Sequence, residues 1–184
     1  LCDKETKLNI LMVYPQYPDT FWSFKHALRL VHKKAAFPPL GLLTVAAMLP
    51  QEWNKIVIDM NVKNLTDKDL KWADYLFISA MVVQKKSVRE VINRAKALRL
   101  KIVAGGPLFT SEPENYDDID HLVLNEAEIT LAPFLADLAD GKAQHIYSTS
   151  EHPPITQTPV PLWSLIDIQQ YSSMRLQYSR GCPF

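Results

Sequence analysis

The chain has 184 residues, 47% of them hydrophobic, and its 20 basic and 20 acidic side chains give a formal net charge of zero. This balance argues against a strongly basic nucleic-acid binder, and no apolar run reaches the roughly 18 residues that a membrane-spanning helix needs. The two cysteines, Cys2 and Cys182, form no disulfide framework, which predicts a reducing, cytoplasmic setting. Because the first residue is not Met, and because the last residues, Gly181 to Phe184, form no helix end or polar tail, we expect a fragment of a longer protein.

Five short apolar runs bounded by turn residues predict β-strands. They lie at residues 8–14, 55–59, 74–79, 101–104 and 121–124. The segments between them carry helix signals: prolines that can open a first turn, a Thr–Asp capping box, and apolar residues at steps of three and four. The predicted helices cover 40–49 after Pro38 and Pro39, 66–72 with Thr66 as N-cap and Asp69 completing the box, 88–98, and a last helix from its N-cap Thr130 to a stop at Gly141.

Strands and helices alternate along most of the chain, and the strands are apolar. This pattern predicts an α/β fold with a parallel sheet covered on both faces. We expect residues 20–32 to form a loop with a helical turn. The Ser-, Thr- and Pro-rich stretch at 147–161 is predicted to be a linker, so the domain covers residues 1–147, and residues 148–184 contain the linker and the start of a further module.

Ligands of an open parallel sheet bind beyond the carboxyl ends of the strands. Gly105 and Gly106 follow the fourth strand, and their lack of Cβ atoms would let a flat ligand pass close to the backbone, although a simple tight turn also explains them. Ser79 ends the third strand and could bind a ligand or satisfy its own loop. The loop that follows stays apolar at Met81, Val82 and Val83 where loops are usually polar, which suggests a large hydrophobic ligand face.

Several familiar sites are not supported by the sequence. It lacks the G-x-G-x-x-G fingerprint of dinucleotide sites, a P-loop, the acidic residues of a receiver domain and the phosphate loop of a flavodoxin. The five histidines have no metal-ligand spacing. Glu126 and Glu128 favour a helix start over a catalytic pair, and the aromatic and basic stretch at 21–26 favours core or interface packing over nucleic-acid binding.

Taken in order, the motifs resemble the N-terminal cobalamin-binding domain of cobalamin-dependent radical SAM enzymes, and most closely the subgroup that contains hopanoid-modifying enzymes. The resemblance covers most of the chain, with Met81 where the family has Leu and Asn125 where it usually has Gly. The end of the sequence resembles the lead-in to the radical SAM motif Cys-x-x-x-Cys-x-x-Cys, with Cys182 as its first cysteine. The segments that carry the resemblance are Leu11-Met12-Val13-Tyr14-Pro15, Pro38-Pro39-Leu40-Gly41-Leu42-Leu43, Ser79-Ala80-Met81, Ala104-Gly105-Gly106-Pro107, Asn125-Glu126-Ala127-Glu128 and Tyr178-Ser179-Arg180-Gly181-Cys182-Pro183-Phe184.

The resemblance implies a flavodoxin-like, doubly wound Rossmann-type sheet of five strands in the order 2-1-3-4-5, with the corrin on its carboxyl edge. Related mutases place a cobalt-ligating His after the first strand. Residues 15–20 contain none, so the cobalamin is expected to be base-off without a protein His ligand. The residues implied to bind the cofactor are Tyr14, Pro15, Gln16, Ser79, Met81, Val82, Val83, Gln84, Gly105, Gly106, Pro107 and Glu126.

For the full-length protein, the resemblance implies methyl transfer to an unactivated carbon, with an iron–sulfur cluster, S-adenosylmethionine and a C-terminal radical SAM domain that this fragment lacks. With one of the three cysteines, the fragment alone is expected to be inert. Two alternatives stay open: a cofactor-free docking or structural domain of a radical SAM protein, in which the loop at 82–84 fills the crevice, and a flavodoxin-like domain for another small ligand.

Overall fold

The computed structural model describes residues 7–19 and 25–179. Within this part of the chain, six parallel strands form one sheet in the order β2-β1-β3-β4-β5-β6. The strands are β1 (Asn9–Tyr14), β2 (Asn54–Asp59), β3 (Tyr75–Ser79), β4 (Lys101–Gly105), β5 (His121–Val123) and β6 (Ile146–Tyr147).

The doubly wound parallel sheet and the order of its first five strands are confirmed, but the sheet has one strand more than predicted. Strand β6 lies where the linker was expected to begin, and it pairs in parallel with β5 through Leu122 and Val123. A strand of two residues is too short to produce an alternating pattern, so only the tertiary pairing defines it.

In the described residues, six α-helices connect or flank the strands. They are α1 (Lys25–Leu30), α2 (Leu40–Met48), α3 (Asp67–Trp72), α4 (Lys85–Ala97), α5 (Pro107–Ser111) and α6 (Ala127–Ala139). The capping box at Thr66 and Asp69 is confirmed. The prediction of Thr130 as an N-cap is wrong: α6 begins one turn earlier, with Glu126 at the N-cap, and the Thr130 hydroxyl donates to the Glu126 carbonyl at 3.1 Å, as Thr does inside helices.

Apolar side chains fill both faces of the sheet, as a doubly wound fold requires. On one face Leu11 and Val13 of β1 join a cluster with α4, α5 and the turn at 113–116. On the other face Ile10 and Met12 join a cluster with α2 and α6. Alternate residues of β1 therefore serve opposite layers, and the loops at the strand ends are left to form sites.

The described residues after β6, 148–179, are mostly irregular with short 3-10 turns, and they contact the sheet domain. The Leu162 amide donates to the Leu43 carbonyl at 3.0 Å, and Tyr171 forms a parallel bridge with Ala35. These contacts do not test the predicted boundary after residue 147, which stays a prediction. No helix among the described residues is long and apolar enough to cross a bilayer.

Candidate functional site

The order β2-β1-β3 makes the gap between β1 and β3 a topological switch point, where successive connections leave the sheet on opposite faces. Crevices for ligands form at such points, outside the carboxyl ends of the strands. The loop after β1 and the loop after β3 lie together here. Most of the predicted site residues belong to these two loops or to the strand ends that precede them.

The loop after β1 is held by side chains from other elements. The Gln16 amide donates to the Ser87 Oγ at 3.0 Å, and the Tyr17 amide donates to the Asn61 Oδ1 at 2.8 Å. Pro15 is buried and Gln16 is exposed. The Tyr14 and Tyr17 hydroxyls share a hydrogen bond of 2.7 Å; burial, and next this bond, raise the pKa of Tyr14 far above its usual range, so its phenol is neutral at ordinary pH.

The loop after β3 presents apolar side chains to solvent. Met81, Val82 and Val83 are 42%, 47% and 60% exposed, and Val82 begins a single 3-10 turn. Gln84, predicted to line the ligand, is only 1% exposed. Its Oε1 accepts from the Met81 amide at 2.7 Å and its Nε2 donates to the Pro15 carbonyl, so its amide joins the two loops.

The paired glycines meet protein atoms. A Cβ on Gly105 would lie 2.5 Å from the Val123 carbonyl oxygen of the neighbouring strand, so the sheet itself requires a glycine here. Gly106 has φ +89°, and its Cβ would lie 2.6 Å from the Ser79 Oγ. The two positions are thus explained by packing and backbone conformation, and Ser79 and Gly106 lie in contact at the ends of β3 and β4. Among the described residues, no hydrogen bond satisfies the Ser79 hydroxyl.

The remaining predicted residues lie farther along the edge. Pro107 is exposed at the start of α5. Glu126 follows β5, on the far side of β4 from the two loops, and its Oε1 lies 3.3 Å from the His152 Nδ1. The described residues contain no group of three or more His, Cys, Asp or Glu side chains placed to hold a metal ion. Cys182 lies outside the described residues.

Four residues near this edge were missed as site residues in the sequence: Asp59, Asn61, Tyr171 and His152. Asp59 ends β2, is 4% exposed, and accepts hydrogen bonds from Asn61 and from the Tyr171 hydroxyl. Burial raises the pKa of Asp59, and the hydrogen bonds from Asn61 and Tyr171 oppose that rise. An Asp-x-Asn step after an apolar strand was the only local signal, and nothing in the sequence indicates a partner 112 residues away. His152 beside Glu126 was missed for the same reason.

Most of the chain is similar to known protein sequences. Residues 28–135 match the profile of a family described as B12 binding domain. An uncharacterized methyltransferase of Synechocystis sp. is 43% identical over 179 residues, covering 96% of this chain and 33% of that protein. The hopanoid C-2 methylase of Rhodopseudomonas palustris is 34% identical over 185 residues, covering 98% of this chain and 35% of that protein.

A third relative, an uncharacterized methyltransferase of Pyrococcus horikoshii, is 27% identical over 179 residues, covering 80% of this chain and 39% of that protein. No solved structure gives a significant match. The chain spans about a third of the length of the first two relatives.

Proposed function

This chain belongs to the B12-binding domain family, and we propose that it holds cobalamin on the carboxyl edge of its sheet, over the loops that follow β1 and β3. The observation that carries the proposal is the exposed apolar surface of Met81, Val82 and Val83 at the switch point of the sheet. Neighbouring apolar side chains exposed on a loop indicate a ligand or a partner, since burying them stabilises the complex.

The residues at this edge suit a corrinoid. The apolar loop offers a surface for a broad, flat face, and the Ser79 hydroxyl offers a hydrogen bond to the nucleotide tail where β3 and β4 end. The loop after β1 supplies no imidazole to the cobalt, because residues 15–19 contain no His. We therefore propose binding without a protein His ligand, and we propose the base-off form because the family resemblance implies it. His152, whose ring contacts Glu126, is the histidine that an experiment must exclude.

For the longer protein, we propose a cobalamin-dependent radical SAM methyltransferase. The support is the resemblance of residues 178–184 to the lead-in of the radical SAM motif, together with two relatives about three times as long as this chain that are described as a methyltransferase and a methylase. Cobalamin would supply methyl-transfer chemistry, and a cluster bound through Cys182 and two later cysteines would activate S-adenosylmethionine. Cysteines four and seven residues after Cys182 in the parent gene would support this assignment, and their absence would refute it.

Cobalamin binding is tested by titrating the 184-residue chain with hydroxocobalamin and following absorbance after gel filtration. Wild type is expected to retain the coloured cofactor. Val83→Asp is expected to weaken binding by at least about tenfold, because a carboxylate would have to be desolvated against the corrin. Val160→Asp is the matched control, since Val160 is 79% exposed and lies outside both loops. A colourless wild type with several cobalamins, or equal affinities for the two variants, would contradict the proposal.

The axial ligand is tested by electron paramagnetic resonance of bound cob(II)alamin. We expect no nitrogen splitting of the cobalt signal in wild type or in His152→Ala. Splitting that His152→Ala removes would identify a protein His ligand, and splitting that persists would show coordination by the cofactor's own base or by another of the five histidines. Either result would refute the proposed coordination while leaving cobalamin binding itself intact.

A cofactor-free docking domain is the second candidate, and one observation favours it. Gln84 bridges the loops after β1 and β3 directly, so the edge is joined by the protein's own side chain without a ligand. The titration above separates the two candidates, because a docking domain retains no cobalamin and gives Val83→Asp no effect on any cofactor spectrum.

A further inference from the structure

The carboxyl group of Asp59 is the centre of a buried hydrogen-bond network at the end of β2. Its Oδ1 accepts from the Asn61 backbone amide at 2.9 Å and from the Asn61 Nδ2 at 2.7 Å. Its Oδ2 accepts from the Tyr171 hydroxyl at 3.1 Å. A carboxyl group removed from water needs such donors, so the three bonds fix the positions of both partners.

Asn61 extends this network to the loop after β1. Because its Nδ2 faces Asp59, its Oδ1 is turned toward the loop and accepts from the Tyr17 amide at 2.8 Å. The same Nδ2 lies 3.3 Å from the Pro15 carbonyl. Asp59 therefore sets the orientation of the Asn61 amide, and the Asn61 amide holds the loop.

Tyr171 brings a distant segment of the chain into the network. It is 5% exposed, although the residues that follow it are exposed. A short ladder fixes it: the Lys34 amide donates to the Gln170 carbonyl at 2.8 Å, and the Ser172 amide donates to the Ala35 carbonyl at 3.0 Å. The segment at 169–173 is thus docked on the domain by backbone bonds, with the Tyr171 hydroxyl pointing at Asp59.

We infer that Asp59, Asn61 and Tyr171 are positioning residues, which couple the docking of residues 169–173 to the conformation of residues 15–17 and thereby to the affinity for cobalamin. The last step rests on the proposed function, whereas the coupling to the loop does not. The residues themselves need not touch the ligand: Tyr171 acts through Asp59, and Asp59 acts through Asn61.

The first arm of the test needs no ligand. Amide hydrogen exchange, resolved by residue with NMR, compares wild type with Tyr171→Phe, which removes one hydroxyl, and with Tyr178→Phe, whose side chain is 94% exposed. Loss of a hydrogen bond to the Asp59 carboxyl group is expected to speed exchange of the Tyr17 amide by about five- to tenfold. The Val103 amide in β4 should not change, which separates local loosening from global destabilisation. Asp59→Asn replaces one carboxylate oxygen by an NH₂ group, which cannot accept a hydrogen bond from Asn61 or Tyr171. This variant is expected to speed exchange of the Tyr17 amide more than Tyr171→Phe does.

The second arm measures the dissociation constant for hydroxocobalamin far below the unfolding temperature of each variant. Tyr171→Phe is expected to weaken binding about three- to tenfold, and Tyr178→Phe is expected to bind as wild type does. Unchanged Tyr17 exchange in both Tyr171→Phe and Asp59→Asn would overturn the inference whatever the affinities are. If the variants show faster Tyr17 exchange but the wild type binds no cobalamin, the coupling to the loop stands and the proposed function is refuted. Faster exchange with unchanged affinity would overturn the step from loop to ligand.

Discussion

The two loops that meet at the switch point are held in opposite ways. The loop after β1 is fixed by polar groups from other elements, since Asn61 and Ser87 both accept from its backbone amides. The loop after β3 is closed by its own residue Gln84 and leaves Met81, Val82 and Val83 exposed. One loop is thus defined by the hydrogen bonds it receives, and the other by the apolar surface it leaves uncovered.

The two loops therefore contribute different properties to the carboxyl edge of the sheet: one fixes its geometry and the other supplies binding area. Polar bonds to the backbone determine geometry, and an exposed apolar surface supplies binding area without adding to the stability of the free protein. Substitutions in the network around the first loop should therefore change stability and conformation, whereas substitutions at the exposed valines should change binding alone. Gln84 is the exception, because it belongs to the second loop and bonds to the first.

The largest effect is expected at Gly106, which adjoins Ser79 and Ala80 where the loop after β3 begins. Gly106→Ala forces a side chain onto φ +89° and ψ 178°, with its Cβ 2.6 Å from the Ser79 Oγ. Strain and overpacking together are expected to lower the free energy of unfolding by about 2–5 kcal/mol in urea denaturation. Gly41→Ala in α2 is the control, since nothing lies within 4 Å of its Cβ and alanine favours a helix. A Gly106→Ala variant as stable as wild type would show that the contact between Ser79 and Gly106 is not tight.

The next effect is expected at Gln84, which joins the loops. Gln84→Leu replaces the polar side chain by an apolar one of similar size and leaves the Met81 amide and the Pro15 carbonyl without this partner. We expect a loss of about 1–3 kcal/mol in the free energy of unfolding. Gln157→Leu, at an exposed position, should be nearly neutral. If the two substitutions cost the same, the bridge between the loops does not contribute to stability.

A smaller effect is expected at Tyr14, which ends β1 and bonds to Tyr17 in the loop that follows. Tyr14→Phe removes the hydrogen bond of 2.7 Å to the Tyr17 hydroxyl and keeps the ring. The expected cost is about 0.5–1.5 kcal/mol in thermal or urea unfolding. Tyr178→Phe serves again as the exposed control. A gain in stability would indicate that the free energy needed to bury the Tyr14 hydroxyl exceeds the stabilisation from its hydrogen bond.

The smallest effect is a pH dependence from Asp59. Because burial raises its pKa in the folded protein, the folded state binds this proton more tightly than the unfolded chain does. Its contribution to stability is therefore fully present below the unfolded pKa of about 3.9 and is lost as the pH rises through the folded value. Asp120, whose pKa is lowered by its bonds to Lys101 and Ile102 despite opposing burial, acts in the opposite direction.

The Asp59 contribution is isolated by comparing wild type with Asp59→Asn from pH 3.5 to 7 in urea unfolding. The difference in free energy, wild type minus variant, should fall as the pH rises. A difference that rises with pH would mean that the hydrogen bonds from Asn61 and Tyr171 outweigh burial.

The elements that the sequence predicted well are those whose causes are local. Apolar runs ended by Pro or Gly define β1 and β4, and the capping box at Thr66 requires only a residue three positions later. Thr130 shows the limit of such signals, since a Thr hydroxyl bonds equally well to a carbonyl one turn back inside a helix. Strand β6 depends on its partner β5 and has no pattern of its own.

The site was predictable in its location but not in its bonds. Parallel strands place their carboxyl ends on one edge, so Ser79 and Gly106 could be expected near each other. The reason for Gly105 was not predictable, because it is the Val123 carbonyl of a neighbouring strand. The contact of Asp59 with Tyr171 is equally inaccessible, because it depends on how a segment far along the chain folds back.

The turn Trp163–Leu165 lies against β2, which is an outer strand of the described sheet. Shortening the chain at residue 147 would remove this cover and uncover the apolar cluster around Trp53 and Val57. An uncovered apolar face beside a strand with unpaired backbone groups is a template for self-association. Protein shortened at that position is therefore expected to precipitate or form soluble aggregates during expression, whereas the longer chain is expected to stay monodisperse.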